Sequence, residues 1–314
     1  MARLDRDGSI ISIASYSVIS KYEERTGLQP TGLYFNKMMS LLHNEMKARG
    51  KDLGLPHCWY RWGDEVVRYL MPNSIRWNHE EPQFTKVTWD GRMPSGMGND
   101  PSSRLVLSIV QMLTEKYGSD DGVERYVADV YKYAPFEFQR SFRLCRETFR
   151  SKIQSGIDLP KYGRDFLWPM LEKAMGDFPS LEFPSIADKI EPFREVMRIL
   201  LCEDGVDYRY ANEVSEEFWT WFCYYLRLHQ SCHENVPSET LSYWNERLPF
   251  EDERYKRQLG DHVVMLEKKG YALSPILKSI SAYRKEETKR EDVLFDSLGE
   301  DLEEAVEDAM PFFG

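Results

Sequence analysis

Helical periodicity is the feature that most constrains the fold of this chain. Apolar residues recur every three or four positions through most of its 314 residues, as at Ile10, Ile13 and Ala14. This spacing places apolar side chains on one face of an α-helix. Only the stretch from Glu81 to Trp89 shows the alternation of a strand. We therefore predict a mainly α, multi-helix globular protein with at most one small β element.

The predicted helices follow from this periodicity and from the positions of proline and glycine. They cover residues 10–18, 33–46, 64–70, 105–113, 121–133, 136–153, 188–201, 213–233, 237–248, 252–268, 275–287 and 292–310. The densest cluster of helix breakers, from Met93 to Ser103, indicates a domain boundary. We predict a helical N-terminal region at 1–95, a helical domain at 104–285 and a tail at 286–314.

The predicted tail is strongly acidic. Residues 286–308 contain eleven acidic and two basic side chains, a local charge of −9 within a whole-chain charge of −11. Its apolar residues recur every four positions, as in an amphipathic helix, and an apolar terminus follows. The tail residues that we expect to be buried are Leu298, Leu302, Val306, Phe312 and Phe313. They dock either on their own chain or on a basic partner or a nucleic-acid groove.

Cysteine usage and hydropathy bear on the compartment. The five cysteines are odd in number and form no C-x-x-C pair, which favours a reducing compartment. No apolar stretch approaches the roughly 20 residues of a membrane span. The uncharged run from Gly8 to Ser20 resembles a signal peptide, but it is rich in serine, lacks an A-x-A cleavage site and leads directly into charged residues. We expect a cytoplasmic protein without a membrane partner. The chain outside the tail is nearly neutral, so it lacks the broad basic surface that binds duplex nucleic acid. This charge balance does not exclude a local basic patch.

One segment, LYFNKMMSLLHNEMKARGKDLGLPHCWYRWGDEVVRYL from Leu33 to Leu70, is the most distinctive. It combines a lysine-containing helix with an aromatic cluster that ends in a glycine and leads into another element. This order resembles the opening of the Panacea, or SocA-like, domain. The resemblance implies a mostly helical, non-enzymatic protein that acts by protein contact. It implies an antitoxin, or a regulator in a toxin–antitoxin or antiviral defence system.

The resemblance covers only the N-terminal segment, and its contact residues are the first candidate site. They are Lys37, Leu41, His43, Trp59, Tyr60, Trp62 and Gly63. The expected partner is a protein toxin, a defence effector or a second copy of the chain. The alternative interpretation is that Trp59, Tyr60 and Trp62 form a core cluster, because aromatic side chains bury large areas at helix junctions.

A second candidate site is the pair Arg227 and His233. The five residues between them give a spacing similar to that of the arginine–histidine motif of HEPN ribonucleases. A histidine can move a proton from a ribose hydroxyl while a guanidinium stabilises the charged phosphorane. A metal-independent ribonuclease is therefore an alternative function. A structural subunit of a larger assembly is another, and it would expose a large apolar patch.

His229 and His233 also have the four-residue spacing of two metal ligands on one helical face. No other Cys or His cluster in the sequence completes a tetrahedral site around them. Phosphate-binding glycine loops and the common hydrolase motifs are missing from the sequence too. We therefore predict no metal and no cofactor.

Overall fold

The computed structural model describes residues 9–81, 84–118, 123–155, 162–203 and 208–291. Within these ranges the protein consists mainly of α-helices with two small antiparallel sheets, so the predicted mainly α class is confirmed. No helix in this part of the chain has the length and apolarity needed to cross a membrane. The predicted helix at 292–310 lies outside the described residues.

The first two helices, α1 (Ile10–Thr26) and α2 (Gly32–Ala48), confirm the first two predicted segments. Each begins at a hydroxyl cap: the side chains of Ser9 and Thr31 accept the backbone N–H of the residue three positions later. Gly27 ends α1 in the left-handed conformation, with φ of 70°. Local sequence signals are sufficient to position both helices.

A three-stranded sheet follows α2. Strands β1 (His57–Tyr60) and β2 (Gly63–Val66) form a hairpin whose turn consists of Arg61 and Trp62. Strand β5 (His233–Glu234) pairs with the other edge of β1, so the strand order is β2-β1-β5 and all pairs are antiparallel. The sheet therefore brings residues from distant parts of the chain together beside α2.

The helix predicted from Asp64 to Leu70 is wrong, because β2 occupies its first part and a 3-10 turn occupies Arg68–Leu70. The residues Val66 and Val67 are β-branched and suit a strand. Gly63 adopts φ of 93°, which turns the chain back along β1. Gly63–Val66 therefore pairs across the hairpin with β1, and only Arg68–Leu70 makes a short helical turn.

The second sheet is the hairpin of β3 (Ile75–Glu81) and β4 (Phe84–Trp89). Strand β4 lies within the stretch predicted to be a strand. Its sheet packs on the first two helices: Trp77 meets Phe35 of α2 edge-on, with ring centroids 5.5 Å apart. Trp89 meets Tyr16 of α1 in the same way at 5.7 Å.

Eight further helices follow the second sheet in the described part of the chain. Asp100 caps the first of them through a capping box with Ser103, so this helix begins at Pro101, four residues before the predicted start at Leu105. They are α3 (Pro101–Tyr117), α4 (Val123–Tyr131), α5 (Glu137–Ser155), α6 (Trp168–Gly176), α7 (Ile190–Cys202), α8 (Tyr208–Leu226), α9 (Ser238–Lys268) and α10 (residues 275–291). A π-helical turn, Gly163–Leu167, leads into α6, and a 3-10 turn, Pro184–Lys189, leads into α7.

Two predicted helix boundaries are wrong. The helix predicted to reach His233 ends at Leu226, because a 3-10 turn at Gln230–Cys232 leads into the pairing of β5 with β1. The two helices predicted on either side of Pro249 are one helix, α9. Proline removes one backbone donor from this helix but does not end it.

The chain divides into two compact units, and the first comprises Met1–Leu144 and Trp219–Leu248. The boundary predicted between residues 95 and 104 falls inside this unit. Its core is centred on α2, where Tyr34 and Phe35 are fully buried. The Tyr34 ring lies 4.5 Å from the Tyr22 ring and 5.8 Å from the Tyr126 ring. The predicted N-terminal region is thus part of a larger packed unit.

The second unit comprises Cys145–Phe218 and Pro249–Gly314. The rings of Phe193 and Phe218 stack in its core with centroids 4.0 Å apart. Arg150 forms a 2.7 Å ion pair with Glu216. Aromatic packing and charge pairing therefore both contribute within this unit.

Candidate functional site

Lys37 links α2 to the hairpin. Its side chain is fully buried, and its Nζ donates a 2.8 Å hydrogen bond to the backbone carbonyl of Asp64. Burial lowers the pKa of Lys37, and the nearby Glu65 and Asp64 carboxylates only partly offset this effect. Lys37 therefore joins α2 to the hairpin through a buried hydrogen bond.

Gly63 occupies a position that only glycine fits. Its φ of 93° is unfavourable for other residues, and a Cβ here would lie 2.8 Å from Cε2 of Tyr131. The turn before it is held by two hydrogen bonds: Trp219 Nε1 donates to the Arg61 carbonyl at 2.8 Å, and the Trp62 N–H donates to Glu65 Oε1 at 3.3 Å. The hairpin therefore presents its tip in a fixed conformation.

The structure separates the predicted contact residues into buried and exposed ones. Lys37, Leu41, His43 and Trp59 are buried, so these four side chains do not lie on the surface of the described chain. Trp59 packs edge-on against Tyr131 at 5.3 Å, as a core residue does. The predicted tail residues, from Leu298 to Phe313, lie outside the described residues.

The other two aromatic residues of the cluster differ from Trp59. Tyr60 is half-buried, and Trp62 at the hairpin tip is 48% exposed. Gly63 is buried beneath the tip. The core interpretation therefore holds for Trp59, whereas Trp62 is accessible to a partner.

A second group of residues forms a histidine–carboxylate cluster, which we define as His43, His57, Asp64 and Glu234. His43 lies on α2, His57 on β1, Asp64 on β2 and Glu234 on β5. Glu234 Oε2 lies 3.2 Å from His43 Nε2 and 3.8 Å from His57 Nε2. Asp64 accepts a 2.6 Å hydrogen bond from His57 Nδ1.

Neighbouring polar groups hold the two carboxylates of the cluster in place. Ser40 Oγ donates to Asp64 Oδ2 at 2.6 Å, and Lys47 Nζ lies 2.6 Å from Glu234 Oε1. Each carboxylate therefore has one oxygen bound by a neighbour, while its other oxygen faces a histidine.

The two histidines have opposite pKa shifts. Burial alone would lower the pKa of His57, but the charge and hydrogen bond of Asp64 raise it to about 9. Burial and the nearby His57 lower the pKa of His43. Burial likewise opposes ionisation of Asp64, yet contact with His57 lowers the pKa of this carboxyl. His57 and Asp64 therefore form a buried ion pair beside a neutral His43.

His43, His57 and Glu234 are residue types that bind metal ions, and they lie close together. One nitrogen each from His43 and His57 and one oxygen of Glu234 all lie within 4.8 Å of one another. The sequence pattern singles out only His229 and His233 as candidate metal ligands and does not reveal this group. No local spacing could have revealed it, because His43 and Glu234 are 191 positions apart.

The second predicted site, Arg227 and His233, has a different environment. The Arg227 guanidinium lies over three aromatic rings, at 5.2 Å from Tyr60, 4.5 Å from Tyr224 and 4.8 Å from Trp244. His233 is half-buried in β5, and burial lowers its pKa. An arginine stacked in this way offers no support for phosphorane stabilisation.

The predicted metal-ligand spacing of His229 and His233 is also not realised on a helix. His229 precedes the 3-10 turn, where its Nδ1 lies 2.8 Å from Ser231 Oγ, and His233 begins the strand. The two side chains therefore do not share a helical face.

Comparisons with known proteins identified no relative of this chain. A scan against protein-family models found no match, and neither a search of curated proteins nor a search of solved structures found one.

Proposed function

We propose that this chain is a non-enzymatic regulatory protein that binds another protein through the tip of its β1–β2 hairpin. The observation that carries the proposal is Trp62, which is 48% exposed on a turn held by hydrogen bonds to the flanking residues Arg61 and Asp64. A large aromatic side chain presented in a fixed conformation loses little entropy on binding, and tryptophan is enriched among the residues that dominate binding energy.

The fixed conformation of the tip comes from the core beneath it. Trp219 binds the Arg61 carbonyl, Lys37 binds the Asp64 carbonyl, and Gly63 packs against the Tyr131 ring. These contacts connect the lysine helix to the aromatic–glycine segment, and these are the two parts on which the Panacea resemblance rests. They support, as part of the proposal, an antitoxin-like role in a toxin–antitoxin or antiviral defence system.

The partner that we propose is a protein toxin or defence effector encoded beside this chain. The five cysteines are free thiols, in keeping with the cytoplasmic location that forms part of the proposal. The test is co-purification of the full chain with the product of each adjacent gene, followed by titration calorimetry.

A matched pair of variants tests the role of the hairpin tip. Trp62→Ala is expected to weaken partner binding about 30-fold or more, the loss typical of a residue that dominates an interface. Tyr243→Ala removes a comparably exposed aromatic side chain from α9 and is expected to leave the affinity unchanged. Equal affinities for the two variants would refute the assignment to Trp62.

Light scattering on the purified chain tests the remaining alternatives. A stable dimer that Trp62→Ala dissociates would identify the partner as a second copy of the chain. A large obligate assembly that is insensitive to Trp62→Ala would instead favour the structural-subunit alternative and contradict our proposal.

A further inference from the structure

The histidine–carboxylate cluster contains two buried histidine ring nitrogens that make no hydrogen bond to any residue that the structure describes. His57 is 7% exposed, and within the described part of the chain neither its Nε2 nor His43 Nδ1 has a hydrogen-bond partner. A buried ring nitrogen without a partner loses its hydration and gains nothing in return. His57 Nε2 points towards Glu234 but stays 3.8 Å from its carboxylate, too far for a hydrogen bond.

We propose that His43, His57 and Glu234 bind a divalent transition-metal ion of the zinc class, with Asp64 orienting His57. Zinc binds histidine and carboxylate ligands at about 2.0–2.2 Å, so neighbouring ligand atoms in a tetrahedral site lie roughly 3.3 Å apart. Glu234 Oε2 already lies 3.2 Å from His43 Nε2 and 3.8 Å from His57 Nε2. The ligand nitrogens of His43 and His57 lie within 4.8 Å of each other, so a closing movement of up to about 1.5 Å between the two rings would complete a three-ligand set.

The contacts around the cluster match the outer shell of histidine metal sites. Asp64 binds His57 Nδ1 at 2.6 Å, which leaves Nε2 as the nitrogen that faces the cluster. The metal would replace the proton that Nε2 carries in the His57–Asp64 ion pair, and this proton would be released to solvent. A carboxylate in this position fixes the ring orientation and strengthens the histidine as a ligand. Ser40 in turn holds the second oxygen of Asp64 at 2.6 Å.

Glu234 completes the set from the solvent side. Lys47 holds Glu234 Oε1 at 2.6 Å and so directs Oε2 towards the two histidines. The Glu234 side chain is 40% exposed, which leaves a route for the metal to enter and room for a water as fourth ligand. Two nitrogens and one oxygen favour zinc, cobalt or nickel over magnesium and calcium, which prefer oxygen ligands.

The ligands join three separate parts of the chain. Glu234 belongs to a strand of only two residues, and Asn235 after it has φ of 54°, in the left-handed region that asparagine adopts more readily than most residues. A metal bound to Glu234 would hold β5 against β1 and α2. The ion would therefore stabilise the first unit, independently of any protein partner.

The experiment is titration of the chelator-treated full chain with Zn²⁺ by calorimetry, with Mg²⁺ as the control ion. We expect one Zn²⁺ per chain, with a dissociation constant at or below about 1 μM, and no binding of Mg²⁺ in the same range. Visible absorption of the Co²⁺-loaded wild type supplies a measurement that needs no variant. It should show the intense bands of a tetrahedral site.

The variants assign the ligands. His57→Gln and Glu234→Gln should each weaken Zn²⁺ binding at least 100-fold, and Asp64→Asn about 10–100-fold. His229→Gln, which changes a histidine outside the cluster, should bind as the wild type does. Circular dichroism of each metal-free variant verifies its fold. If His57→Gln does not fold, the partly exposed Glu234→Gln and the Co²⁺ spectrum decide the outcome.

Three results would each overturn the proposal. The first is a wild type that binds no Zn²⁺ below about 100 μM, well above the affinity expected for a formed site. The second is unchanged affinity in folded Glu234→Gln. The third is a Co²⁺ spectrum with only the weak bands of an octahedral hydrated ion.

Discussion

Replacing Gly63 with alanine tests how the hairpin tip is held. Two costs arise at this position. Its φ of 93° is strained for a residue with a Cβ, and the new methyl carbon would lie 2.8 Å from Cε2 of the buried Tyr131 ring. Gly50 supplies a matched control, because it also has positive φ, at 70°, but has nothing within 4 Å of the position of a Cβ.

The two variants should lose different amounts of the free energy of unfolding. The left-handed backbone alone costs roughly 1–2 kcal/mol, so we expect this loss for Gly50→Ala. Forcing an extra carbon into a packed site adds about 1–3 kcal/mol, so Gly63→Ala should lose about 2–5 kcal/mol. The difference between the variants isolates the contact between Gly63 and Tyr131.

The assay is urea unfolding followed by far-ultraviolet circular dichroism. A third measurement places Gly63→Ala in a Tyr131→Leu background, where the ring is gone and the alanine should cost no more than it does at Gly50. If Gly63→Ala loses no more stability than Gly50→Ala in the wild-type background, the tip is not packed as described. Our account of a rigidly presented Trp62 would then fail.

Three further predictions concern other groups. Because burial lowers the pKa of Lys37, the unfolded chain binds more protons between the lowered value and 10.5, and this group adds stability as the pH rises through that window. The wild type should therefore gain stability relative to Lys37→Met as the pH rises towards 10.5 in urea unfolding, and a constant difference would contradict this. Arg227→Met should lose about 1–2 kcal/mol, since it removes the charge stacked on three rings, and a loss near zero would show that the stacking contributes nothing. Labelled RNA should stay intact with the purified chain, whereas cleavage that His233→Ala abolishes would establish the ribonuclease alternative instead.

The sequence identifies the first two helices but not the hairpin that follows them. The apolar spacing and the hydroxyl caps at Ser9 and Thr31 are local signals, and the structure confirms both helices. The segment after Gly63 has equally helix-like spacing, yet it pairs with β1. Periodicity over seven residues is too short to distinguish the two outcomes, and pairing with a neighbouring strand decides between them.

The candidate sites show the same limit. The sequence singles out Trp62 as an aromatic residue beside a glycine, but its exposure and the burial of Trp59 depend on what packs beneath the turn. His43 enters the sequence prediction as a contact residue, whereas the structure places it in the histidine–carboxylate cluster. A residue type alone therefore does not reveal which surroundings it will have.

By itself the sequence determined that this is a mainly α protein, where several of its helices begin, and where its charge accumulates. These properties depend on side chains only a few positions apart. Tertiary structure alone decided that Glu234 lies opposite His57 in the β1–β5 pairing. It also decided that Lys37 donates a hydrogen bond to the backbone carbonyl of Asp64. Such contacts arise when the chain folds back on itself to bury its apolar faces, so no local pattern encodes them.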